Sequence, residues 1–192
     1  MSLRADADEV IARLARAPEP PLIAIDGLPC SGKSTLAERL QHAHGFDCIS
    51  LDDFVRPEAD SPAWRVPTFP FEYIRYAEFV AAVETLAARG ECDYAPFDWE
   101  TLAISGARRR VTLATPVMIE GVSSLYPALC PLYGLKIFVD SDRATILEEV
   151  ARRGAGPWPG AWRTLFVPSA DIYMQTGPEL RADIIVRGRS AR

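Results

Sequence analysis

At 192 residues, with 48% hydrophobic and 24% charged residues, the chain has the makeup of one globular domain, able to bury about 70% of the surface its unfolded form would expose. That balance excludes a disordered or collagen-like chain and makes a metal or disulfide staple unnecessary for stability. The formal net charge of −5 removes any global attraction to nucleic acid or anionic lipid, so any affinity for phosphate must be local.

The N-terminal stretch carries Asp6, Asp8 and Glu9 among its apolar residues and lacks the unbroken core of a signal peptide. No stretch approaches about 18 continuous apolar residues, so a cytoplasmic protein with no membrane partner is expected. Cys30, Cys48, Cys92 and Cys130 lie far apart, and His42 and His44 have no cysteine at metal-ligand spacing. Four reduced thiols, mostly buried as small hydrophobes, are expected.

Leu3, Val10, Ile11 and Leu14 recur at helical spacing, which predicts a helix over 3–16 that the Pro18-Glu19-Pro20-Pro21 run stops. Leu22-Ile23-Ala24-Ile25 reads as a short strand buried on both faces. A helix over 34–43 and a strand over 46–50 follow, giving β–loop–α–β. The proline-rich stretch 57–70, with Trp64 and Phe69, reads as an ordered but irregular loop. Tyr76, Phe79, Val80, Val83, Leu86 and Ala87 make a helical stripe that Gly90 ends. Strands over 117–119 and 135–139, a helix over 142–153 and a strand over 184–186 complete the series. Alternating strands and helices imply a mostly parallel, about five-stranded sheet with helices on both faces, and ligands at the carboxyl ends of its strands.

Between the first such strand and its helix lies Gly27-Leu28-Pro29-Cys30-Ser31-Gly32-Lys33-Ser34, a G-x-x-x-x-G-K-[ST] loop. Gly27 and Gly32 allow a turn tight enough for backbone N–H groups to surround a polyphosphate, and the following helix adds its positive end. Lys33 would reach the β- and γ-phosphates and the Ser34 hydroxyl would ligate Mg²⁺. Residues 27–34 with Thr35 are therefore the candidate ATP-binding segment. Cys30 reads as a tolerated small residue.

Asp52-Asp53-Phe54 follows the second strand, at the same sheet edge, where a carboxylate could orient an acceptor hydroxyl. Which of the two acids faces the acceptor is open, because adjacent residues at a strand end point to opposite sides. A solvated turn is the alternative for the pair. Glu120-Gly121, after the strand over 117–119, puts an acid where it could support Mg²⁺ together with Ser34. Tyr94, Phe97, Asp98 and Trp99 form an aromatic-acid cluster suited either to stacking on a small ring or to a core-edge hairpin. Arg108-Arg109-Arg110 reads as a solvated charge run.

IAIDGLPCSGKSTLA, SLDDF, YAPFDWE, VMIEGVSSL, KIFVD and ADIIVRG, in that order over about 160 residues, resemble the uridine kinase and phosphoribulokinase-like family of P-loop kinases, which includes bacterial pantothenate kinase. The resemblance implies one P-loop kinase domain over 1–192, with an acceptor-site loop at 51–70 and a lid at about 152–168. It implies Asp52 as catalytic base beside Lys33 and Arg153, Arg152 as a further ATP contact, and Glu120 as the acid assisting Mg²⁺. Asp53, Phe54, Arg56, Tyr94, Asp98 and Trp162 are candidate substrate contacts, with Trp158 and Trp162 beside Arg163 as a cover. The lid and the Thr68-Phe69-Pro70 segment depart from the uridine-type pattern. ATP and Mg²⁺ are the expected cofactors. The expected acceptor is a small molecule with a hydroxyl, a nucleoside first and a pantothenate-like or sugar-like compound second. Nucleic acid is not an expected partner, homo-oligomerisation is open, and an ATP-dependent switch is the rival from another class.

Overall fold

The computed structural model of the chain describes residues 3–14, 21–57, 66–153, 158 and 160–188. Trp64, most of the lid's glycine-proline run and the Arg153 side chain lie outside the described residues. The central sheet has six strands, all parallel: β1 (Leu3–Ala5), β2 (Leu22–Gly27), β3 (Asp47–Ser50), and, after an intervening segment, Val117–Glu120, Leu135–Asp140 and Ile184–Arg187.

Between β3 and the fourth sheet strand the chain forms two small antiparallel pairs. β4 (Glu91–Tyr94) pairs with β7 (Arg109–Thr112), and β5 (Phe97–Asp98) with β6 (Ala103–Ile104). The remaining sheet strands are thus β8 (Val117–Glu120), β9 (Leu135–Asp140) and β10 (Ile184–Arg187), and the order across the sheet is β1-β10-β9-β2-β8-β3. The hairpin alternative for the 94–99 cluster is the one this fold adopts.

Two apolar layers sandwich the sheet, because successive residues of a strand face opposite sides. From β2, Ile23 and Ile25 join Leu36 and Leu40 of α2 (Lys33–His44) and Val10 and Leu14 of α1 (Ala7–Leu14). Leu22 and Ala24 face the other layer, with Phe79, Val83 and Leu86 of α3 (Tyr76–Arg89) and Tyr173 of α5 (Val167–Met174). Fully buried leucines such as Leu40 and Leu86 each contribute about 2 kcal/mol by leaving water. Gly45 and Gly90 end α2 and α3 in the left-handed conformation.

The single helix expected over 3–16 is corrected: Leu3–Ala5 is an edge strand in register with Ile184–Val186, and the helix begins only at Ala7. Asp6 and Glu9 set that start, since Glu9 N–H donates to Asp6 Oδ1 at 2.9 Å and Asp6 N–H to Glu9 Oε2 at 2.8 Å, a reciprocal cap. Strand β1 raises the sheet from about five strands to six. Likewise α4 (Arg143–Arg153) begins one residue after Asp142, whose carboxylate accepts from Thr145 N–H. No helix among the described residues is long and apolar enough to cross a membrane.

Candidate active site

Parallel pairing of β2 with β8, and of β8 with β3, brings Gly27, Glu120 and the segment after Ser50 to one edge of the sheet. Two glycines make the close packing there feasible. A Cβ on Gly27 (φ +148°) would lie 2.5 Å from the Val139 carbonyl oxygen, and one on Gly121 (φ +151°) 2.4 Å from Leu51 Cβ.

The Gly27–Ser34 loop turns through Cys30 (φ 59°) and Gly32 (φ 107°) into α2. The Lys33 ammonium, largely buried, donates to the Leu28 carbonyl at 2.9 Å. The Ser31 hydroxyl is fully buried and, among the described residues, has no hydrogen-bond partner. Ser34 and Thr35 stand exposed at the helix start. A polyphosphate fits this loop: it would accept from Ser31, draw Lys33 off the carbonyl and receive the free N–H groups of the first turn.

Across the edge, buried Glu120 accepts from Ser34 Oγ at 3.4 Å and from Ser50 Oγ at 3.3 Å. Burial raises its pKa; Lys33 opposes this, Asp52 adds to it, and the Ser50 and Ser34 hydroxyls lower it. Glu120 and Ser34 have the oxygen chemistry that Mg²⁺ prefers, and such a site needs few protein ligands because phosphates and waters complete it. That accords with the lack, among the described residues, of a three-member cluster of metal-ligating side chains.

A short 3-10 helix, Leu51–Phe54, presents the acid pair, with Ser50 Oγ accepting from Asp52 N–H. It separates the two acids. Asp53 accepts from the Tyr94 hydroxyl at 2.7 Å and from Arg109 Nη1 at 3.2 Å. The Asp52 carboxylate has neither a hydrogen bond nor an ion pair among the described residues. It lies in the field of Lys33 and beside the Tyr73 phenol, whose pKa is pushed up by burial and then by the Asp52 charge. Desolvation raises the Asp52 pKa, Lys33 lowers it and Asp53 raises it; because the residue is exposed, solvent moderates the shift.

The other expected substrate contacts are engaged with protein groups in this structure. Phe54 is fully buried, stacked on Tyr94 at 4.7 Å and edge-on to Phe79, because the apolar core captures the ring once the helix turns. Tyr94 is buried with its hydroxyl on Asp53, so it orients an acid. Asp98 accepts from Glu100 and Thr101 N–H groups in a local turn, bonds that lower its pKa. Arg56 remains near the acceptor loop, its Nε donating to the Glu72 carbonyl at 3.2 Å. Arg152 is exposed and pairs with Glu149. Trp162 sits in a π-helical turn, Trp162–Phe166, against Phe166.

Two arginines unmarked by any motif hold the acid segment. Arg75, buried, donates to the carbonyls of Asp53 and Ala95 at 2.9 Å each and to that of Val55 at 3.3 Å, and lies over the Phe54 ring. Arg109 bonds Asp47 Oδ1 at 2.8 Å, the Cys48 carbonyl at 2.7 Å and Asp53. The expected solvated run is therefore corrected at its centre. Arg108 and Arg110 point outward to Asp93 and Glu91, while strand alternation turns Arg109 inward. Of the four thiols, Cys92 alone is fully buried. Phe69 packs edge to face on Tyr76 and Tyr126, and Tyr73 meets Phe166 at 4.8 Å.

Two solved structures share this architecture over nearly the whole chain. One, from Bacillus stearothermophilus and described as a possible uridine kinase, is 22% identical with a TM-score of 0.70, and the match covers 94% of this chain and 96% of that one. The other, from Silicibacter sp. TM1040 and named provisionally as a fructose transport system kinase, is 22% identical with a TM-score of 0.61, covering 93% and 96%. The chain has the fold of a P-loop kinase. No protein-family profile matches it. The resemblance to uridine kinase-like P-loop kinases holds at the level of fold, and within that fold the Gly27–Ser34 loop follows β2 and Glu120 ends the strand beside it.

Proposed function

We propose that the protein transfers the γ-phosphoryl group of Mg-ATP to a hydroxyl of a small metabolite, preferentially a nucleoside. The observation that carries this reading is the Asp52 carboxylate, without a hydrogen bond or ion pair among the described residues and in the field of Lys33, at the sheet edge where Ser34 and Glu120 meet.

In this reading Lys33 and the loop N–H groups hold the β- and γ-phosphate oxygens, and Ser34 and Glu120 hold Mg²⁺, which when bound offsets charge on the phosphates. Asp52 accepts the proton of the acceptor hydroxyl and aims its oxygen at the γ-phosphorus; that oxygen forms the new bond as the β–γ bridging bond breaks and ADP leaves. To reach the phosphates, Arg152 would exchange its Glu149 partner for them. Arg109 and Tyr94 keep Asp53 away from this task. The aromatic wall of Phe69, Tyr73 and Tyr126, with Trp162, favours an acceptor that has a flat ring.

ADP release from Mg-ATP, measured across nucleosides, hexoses and pantothenate-like alcohols, tests the reading. Stimulation by a nucleoside supports it in full. Stimulation by a sugar alone keeps the kinase and removes the nucleoside.

A further inference from the structure

Asp26, the penultimate residue of β2, is fully buried and has no role in the site described above, yet its carboxylate collects donors from three separate segments. Oδ1 accepts from Gly27 N–H at 2.6 Å and from Ser123 N–H at 3.1 Å. Oδ2 accepts from Leu125 N–H at 2.7 Å and from the Tyr173 hydroxyl at 2.5 Å. Gly27 opens the phosphate loop, Ser123 and Leu125 lie in the turn just after Glu120, and Tyr173 is in α5, the helix that continues from the Trp162–Phe166 turn.

An ionised carboxylate suits these four donors, since it offers lone pairs alone; an asparagine would turn its N–H₂ toward the two donors that share one oxygen. Burial raises the Asp26 pKa, while the Tyr173, Leu125 and Gly27 bonds and the Lys33 charge lower it. The Tyr173 ring extends the linkage, packing against Phe69 at 4.7 Å, in the stretch 51–70, and against Phe71 at 6.4 Å just after it. Ser123 is itself held in a left-handed backbone (φ 81°), and its hydroxyl bonds that of Tyr76 in α3.

We infer that Asp26 and Tyr173 are positioning residues that lock the first turn of the phosphate loop and the turn after Glu120 to the helix following the lid, so that the position of α5 sets the nucleotide site. Neither touches the reacting atoms. Their role in phosphate binding rests on the proposed nucleotide function, but the mechanical coupling does not.

The test uses Tyr173→Phe, which removes one hydroxyl, Asp26→Asn, and Val10→Ala as a control that loosens the opposite layer. Hydrogen exchange is followed at the Gly27, Ser123 and Leu125 amides and at Ile184 in β10, two strands from β2 in the same sheet, and Mg-ADP binding is measured by titration calorimetry where all variants are folded. Tyr173→Phe is expected to accelerate exchange at Gly27, Ser123 and Leu125 by about 10-fold relative to Ile184, the effect of losing one hydrogen bond to a charged group, and to weaken Mg-ADP by about 10-fold. Asp26→Asn should do more of both.

Uniform acceleration across the sheet, as in Val10→Ala, with unchanged Mg-ADP affinity would leave the pair a purely structural role and overturn the inference. Wild-type protein that binds no Mg-ADP would instead overturn the nucleotide reading, while the exchange pattern still decides the coupling.

Discussion

The Ser34 hydroxyl donates to Glu120 at 3.4 Å although 86 residues separate them in the chain. The contact exists because β2 and β8 are adjacent and parallel, so the helix leaving one and the acid ending the other meet at their common edge. Replacing Glu120 by Gln should raise the Mg²⁺ concentration needed for half-maximal activity by about 10–100-fold, the usual cost of altering a group that orients or assists a metal. A Mg²⁺ titration of turnover at saturating ATP checks this.

The same residue makes a pH prediction. A Glu120 pKa raised in the folded state means that the native protein holds the proton more tightly than the unfolded chain. Its stabilising contribution is complete below the ordinary value of 4.5 and is lost as pH rises through the higher folded value. Without nucleotide, Glu120→Gln should therefore gain melting temperature relative to wild type as pH rises from about 4.5 toward neutrality. Thermal unfolding of the two proteins at a series of pH values, without Mg²⁺, shows whether the gap opens in that direction.

Asp52 and Asp53 should separate in kinetics as they do in geometry. Asp52→Asn removes the unpartnered carboxylate and should lower kcat by about 10²–10⁴-fold with nucleotide affinity little changed. Asp53→Asn loosens the Tyr94 and Arg109 contacts and should act chiefly through stability and acceptor KM. A large kcat loss confined to Asp53→Asn would reverse the assignment.

Arg109→Ala should cost about 1–2 kcal/mol, the scale of hydrogen bonds to charged groups reduced for partial exposure, and Arg109→Lys should recover little, since one ammonium cannot span Asp47, Cys48 and Asp53. Denaturant unfolding of both variants measures it.

Features that depend on neighbouring residues were legible in the sequence. The phosphate loop needs only a strand, two glycines and a lysine in a row, and Glu120-Gly121 needs only an apolar run before it. The parallel sheet followed from alternation. Features made by distant pairing were not legible: nothing near Arg75 or Arg109 signals that each reaches Asp53, 22 and 56 residues away. Leu3 carried the helical spacing of Val10 and Leu14, yet β10 pairing makes it strand. Phe54, a candidate substrate contact in the SLDDF element, has its ring taken by the core behind the turn. Asp26 was hidden because its donors come from 97 to 147 residues away, apart from its neighbour.

The central claim is phosphotransfer that depends on Lys33, and acceptor-dependent ADP release from Mg-ATP by wild type and Lys33→Ala tests it most directly. The account predicts that a hydroxylated acceptor, a nucleoside foremost, accelerates ADP release by wild type, and that folded Lys33→Ala shows none of this acceleration. Near-normal turnover in Lys33→Ala, or a wild-type protein that binds Mg-ATP but responds to no hydroxyl compound, would contradict it.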